Sequence, residues 1–138
     1  MDFEAVVMHY LAAEGLFLSP QFSVRDDSGG EWSCPDLVAL DFSKHQVQVV
    51  EMTTASNVSA LVEKIRQREN QWFRHLRQQL VTRRAIDGSW SIVVRAFVRE
   101  ENVENVRRVF NGAKDVIVEP IESVTFSWKW PWDRFPKA

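Results

Sequence analysis

Two acidic residues could form a metal-dependent hydrolytic centre: Asp36, which follows Pro35, and Glu51, which opens the run Glu51-Met52-Thr53. In the stretch Gln46-Val47-Gln48-Val49-Val50-Glu51-Met52-Thr53, the alternation of an extended chain puts Val47, Val49, Glu51 and Thr53 on one side. Asp36, Val38 and Leu40 share a side of the preceding strand by the same rule. If residues 42–45 form the hairpin loop, Asp41 pairs with Gln46 and Asp36 lies opposite Glu51, with β-carbons roughly 5 Å apart. Two carboxylates at that distance on a half-buried surface need a proton, a basic group or a divalent cation between them. Oxygen donors with open positions favour Mg²⁺ or Mn²⁺ over zinc. A register slip of one residue would separate the two acids onto opposite faces and remove the centre.

The elements that must hold this pair can be read from the pattern of apolar residues. Phe3, Val6, Val7, Met8, Tyr10 and Leu11 recur at helical spacing, and Gly15 supplies a stop, predicting a first helix over residues 3–15. Residues 21–25 read as a first strand, Asp26-Asp27-Ser28-Gly29-Gly30 as a turn, and the run from Trp32 to Leu40 as a second strand. Residues 46–53 form the third and clearest strand. Ser56 or Asn57 can cap a long helix over residues 58–84, whose stripe is Leu61, Ile65, Trp72, Leu76 and Leu80. A fourth strand follows from Trp90 to Val98. Val103, Val106, Val109 and Phe110 mark a further helix ending at Asn111-Gly112, and residues 116–118 a short fifth strand. The order α-β-β-β-α-β-α-β predicts an α/β fold with a mixed central sheet flanked by helices, in which residues 58–89 make a parallel crossover.

The chain has 138 residues, 45% of them hydrophobic, enough for one packed core and too few for two ordinary domains. One cysteine, Cys34, excludes an internal disulfide and fits a reducing compartment. Asp2 and Glu4 without a basic leader do not read as a signal peptide, and no stretch approaches a membrane span. The expectation is a soluble, cytoplasmic protein without membrane attachment. Net charge is only −2, yet residues 58–84 carry seven basic side chains against two acidic ones. This segment is therefore +5 and the remainder −7. Such a helix can attract phosphate through its local potential, and Arg66, Arg68, Arg74 and Arg77 are its candidate nucleic-acid contacts. A plainly solvated outer face accounts for the same charges. His9, His45 and His75 lack the paired spacing of a zinc site, and no phosphate loop, nucleophile elbow or dinucleotide fingerprint occurs.

The placement of Pro35-Asp36 on a second strand and Glu51 on a third, between a first helix and a crossover helix, resembles the PD-(D/E)XK nuclease superfamily with its restriction-endonuclease-like core. The resemblance covers residues 1–100. It implies a Mg²⁺- or Mn²⁺-dependent nuclease acting on nucleic acid, DNA first, with Asp36, Glu51 and the Met52 carbonyl holding the metal. It also implies an acidic partner on the first helix, for which Glu4 is the matching position. Thr53 stands where that family carries a lysine, and Lys64, early on the crossover helix, is the candidate to supply the missing charge. A binding or assembly module that keeps the fold without turnover fits Thr53 as well, and an unrelated α/β protein would follow if Asp36 and Glu51 faced apart. The tail over residues 120–138 carries Phe126, Trp128, Trp130 and Trp132 at alternate positions. Such a row could pack on the domain, stack bases, or join a homodimer or protein partner.

Overall fold

The computed structural model describes residues 2–125, and the tryptophan row of the tail lies outside them. Asp2 caps the first helix, α1 (Phe3–Ala13), by accepting the Ala5 N–H at 3.2 Å, and Gly15 takes the positive φ that ends it. The chain then runs through β1 (Phe17–Pro20), β2 (Val24–Arg25), β3 (Glu31–Ser33), β4 (Leu37–Asp41) and β5 (Gln46–Met52). After α2 (Ser59–Arg66), a π-helical turn at Glu69–Phe73 leads directly into α3 (Arg74–Thr82). The sequence ends its described part with β6 (Ser91–Val98), α4 (Glu100–Val109), β7 (Val116–Pro120) and α5 (Glu122–Thr125).

Five strands form one mixed sheet in the order β1-β4-β5-β6-β7, and β2 pairs only with β3. The sheet is antiparallel from β1 to β5 and parallel from β5 to β7. Leaving aside the β2–β3 ribbon and α5, the order is the α-β-β-β-α-β-α-β read from sequence. The first two strands differ from that reading. The strand entering the main sheet is Phe17–Pro20, and residues 21–25 and 31–33 leave it as a separate ribbon. Pro20 lacks a ladder donor and Gln21 adopts a positive φ of 49°, which turns the chain out of the sheet until Pro35 returns it. The missed strand is short and does not alternate, so it left no periodic signal.

The two faces of the sheet bury different helices. Val47 and Val49 of β5, Val38 of β4 and Val94 and Ala96 of β6 pack against Leu61, Ile65, Trp72, Phe73, Leu76 and Leu80, with Val103 and Val106 of α4 joining them. Leu37, Ala39, Val50 and Phe97 on the other face meet Val7 and Leu11 of α1 and Val124 of α5. The predicted stripe is the buried stripe, and the π turn adds Phe73 to it by inserting one residue into the helical phase. Neither Ser56 nor Asn57 is the cap of the long helix: Val58 stands at that position without a side-chain cap bond, and Asn57, one residue earlier, accepts the Ser59 N–H at 2.9 Å in the turn that leads in. Among the described residues no helix is long and apolar enough to cross a membrane.

Candidate active site at the carboxyl ends of β5 and β6

The β4–β5 hairpin pairs Asp41 with Gln46 and Leu37 with Val50, so the next position sets Asp36 against Glu51. Their contacts are reciprocal. The Asp36 N–H donates to Glu51 Oε2 at 2.8 Å, and Asp36 Oδ2 accepts the Met52 N–H at 2.9 Å. One residue further Pro35 faces Met52, and a proline has no N–H for the Met52 carbonyl, so β4 leaves that oxygen without a ladder donor. Thr53 then bonds to β6 through its N–H and the Phe97 carbonyl, at 3.0 Å, and its hydroxyl accepts the Ala55 N–H at 3.1 Å. It closes the strand and opens the loop to α2.

Glu51 is only 4% exposed. Burial, before any other cause, pushes its carboxyl up to about 7, and the Asp36 charge adds to the rise. Lys64 works in the opposite direction. Its Nζ lies 3.6 Å from Glu51 Oε1, projecting from α2 with half of its side chain in solvent. Glu4, at the start of α1, lies within reach of the Asp36 charge; burial, then Asp36, then Asp2 raise its carboxyl above the usual range. Burial raises the Cys34 thiol as well, followed by the charges of Glu31, Asp36, Glu51 and Glu4. Glu31 is thus a further acid at this edge, with its Oε1 accepting the Ser23 hydroxyl at 2.8 Å. It was not read from sequence because its strand is three residues long and carries no alternation.

Asp36, Glu51 and Lys64 therefore meet, and Glu4 stands beside them. Among the described residues no three His, Cys, Asp or Glu side chains gather closely enough to share one ion. The metal donors available are then two carboxylates and the Met52 carbonyl, with Glu4 outside that set. All three are oxygens and one is a buried carboxylate short of positive charge, a donor set of the type that suits Mg²⁺ or Mn²⁺ rather than zinc.

The four arginines expected to touch nucleic acid divide into two pairs. Arg68 bonds to both carboxylate oxygens of Asp115, at 2.6 and 3.0 Å, and Arg77 donates to the Trp90 carbonyl at 2.7 Å. These two tie the helix to neighbouring loops. Arg66 is over half exposed and pairs with Glu63 at 3.7 Å, while Arg74 reaches His75 Nε2 at 3.3 Å.

A second ionic cluster lies on the α1 face of the sheet. Arg95 of β6, mostly buried, donates to Glu119 of β7, to Glu14 at 2.8 Å and to Gln48 of β5 at 3.3 Å. Charged and amide residues inside apolar strands, at inward positions shared with Val50 and Phe97, are the signal that would have exposed it. Comparison with models of known protein families finds no match, and no curated protein matches the chain.

Proposed function

We propose that this protein is a Mg²⁺- or Mn²⁺-dependent nuclease of PD-(D/E)XK type that hydrolyses phosphodiester bonds, with DNA as the first substrate to test. The observation that carries the reading is the meeting of Asp36, Glu51 and Lys64 at the carboxyl end of β5. A bound metal ion would acidify a water and neutralise phosphate charge. Asp36 and Glu51 would hold it with the Met52 carbonyl, each carboxylate kept in place by a backbone N–H of the facing strand. Lys64 takes the part that Thr53 cannot: its ammonium sits beside Glu51 and opposes negative charge building on the phosphate. Of the four arginines, Arg66 and Arg74, bonded only to neighbours on their own helix, are the two available to meet a nucleic-acid backbone. An unpaired Cys34 accords with a cytoplasmic setting.

Thr53 in the lysine's position supports a second reading, a module that binds nucleic acid or a protein without cleaving. One experiment separates the two. Labelled duplex DNA, single-stranded DNA and RNA are incubated with the protein and Mg²⁺ or Mn²⁺, beside Asp36→Ala, Glu51→Ala and Lys64→Ala. The nuclease reading expects cleavage that drops at least about 100-fold in each variant. Cleavage that survives Asp36→Ala and Glu51→Ala sinks the site, and binding without cleavage on any substrate establishes the module.

A further inference from the structure

The long helix carries Lys64 to the site, and its π turn grips the chain that delivers Asp36. Within that turn the Arg74 N–H bonds to the Glu69 carbonyl, five residues back, instead of to Asn70, four back. The Asn70 carbonyl thereby loses its α-helical donor. The Trp32 indole Nε1–H replaces it, at 2.8 Å, and the Ser33 hydroxyl donates to the next carbonyl, Gln71, also at 2.8 Å. The Trp32 ring rests on the buried His75 ring with centroids 4.9 Å apart. A π insertion forfeits regular helix bonding, and here one β3 side chain takes the carbonyl it frees while the next side chain bonds to the carbonyl that follows.

Only Cys34 and Pro35 separate this anchor from Asp36. Proline fixes its own φ and restricts the residue before it, so little backbone freedom remains across that link. From its other side Asp36 is held by Gln21, whose N–H donates to the Asp36 carbonyl at 3.0 Å. The rest of the ribbon has its own tether, since Gln79 bonds to the Arg25 N–H at 2.9 Å and to the Ser23 carbonyl at 3.2 Å. The Trp32 and Ser33 bonds are thus not needed to keep the ribbon on the helix. Their separate effect is on the segment that leads to Asp36.

We propose that the π turn at Glu69–Phe73 is a slot that positions Asp36 against Glu51, with Trp32 and Ser33 as the positioning residues. The inference rests on reading Asp36 as a metal ligand, and its test keeps the two apart. In the metal-free protein, the double variant Trp32→Phe with Ser33→Ala keeps the ring on His75 and removes both donors. Amide exchange at Asp36 and Met52 is expected to quicken about tenfold while Val94, in the middle of the sheet, is unchanged. The Mn²⁺ dissociation constant, by titration calorimetry, is expected to rise about tenfold. Ser33→Thr keeps a hydroxyl donor and, in the Trp32→Phe background, restores part of both effects. Exchange that is unchanged at Asp36 and Met52, or that rises equally at Val94, overturns the proposal. Wild-type protein that binds no Mn²⁺ but shows the local exchange response removes the metal site and leaves the positioning intact.

Discussion

The sheet holds two buried ionic clusters, one toward each layer of helices, and they are resolved in opposite ways. Around Arg95 one guanidinium meets Glu14, Glu119 and the Gln48 amide oxygen, so each N–H that points inward finds an oxygen. These partners hold Arg95 more firmly protonated than usual, even though burial acts against its charge. Around Glu51 two carboxylates face one half-exposed ammonium, and that ammonium approaches a single oxygen. The first cluster ties α1, β5, β6 and β7 together and needs nothing more. The second stays short of positive charge, and burial and the neighbouring Asp36 charge make an ionised Glu51 a cost to the fold.

Neutralising the two clusters should therefore move stability in opposite directions. Arg95→Leu strands two carboxylates that keep roughly a quarter to a third of their surface in water. A loss of about 2–4 kcal/mol in urea unfolding is expected, somewhat below the cost of breaking a fully buried pair. Adding Glu14→Gln and Glu119→Gln should return much of it. If Arg95→Leu instead left stability intact, the contrast between saturated and unsaturated clusters would collapse.

Glu51→Gln should do the reverse. The folded Glu51 carboxyl lies at about 7, above its ordinary value of 4.5, so the folded state holds a proton that the unfolded state has released. Its favourable contribution is complete below about pH 4.5 and lost as pH rises through about 7. In EDTA, Glu51→Gln should match wild type near pH 4.5 and exceed it by about 1–3 kcal/mol at pH 8. The same variant should lose the stabilisation that Mn²⁺ gives wild type at pH 8. A gap that shrinks with rising pH would mean that Glu51 is ionised comfortably and is no cation site.

The unsaturated cluster was the more legible of the two in sequence. Asp36 opposite Glu51 followed from strand parity and a four-residue loop at 42–45, because a tight hairpin leaves few registers open. Lys64 followed from its place one turn into the crossover helix. The Arg95 cluster joins residues 14, 48, 95 and 119, and nothing local announces which distant acids will converge on an arginine. The two strands and turn of the ribbon were legible, but β1 and the ribbon's separation from the main sheet were opaque: a positive φ at Gln21 and two prolines set where the chain leaves and rejoins the sheet. The π turn is invisible to periodicity as well, since Trp72 and Phe73 are both apolar and the stripe continues through them.

Lys64 gives the smallest effect on stability and the sharpest reading of what the second cluster is for. Its side chain is half in solvent, so Lys64→Met should change unfolding free energy by at most about 0.5 kcal/mol. Lys64 holds the Glu51 carboxyl down, and its removal should shift the midpoint of the Glu51→Gln comparison to higher pH. An ammonium 3.6 Å from Glu51 also repels a divalent cation, so Mn²⁺ affinity in Lys64→Met should stay equal to wild type or rise up to about threefold. Cleavage should nonetheless fall at least about 100-fold, because the charge facing the phosphate is gone. Binding preserved with turnover lost marks Lys64 as the charge that meets the phosphate. Cleavage unchanged in this variant would reduce Lys64 to a surface counter-ion and leave the cluster as a metal site without its electrostatic partner.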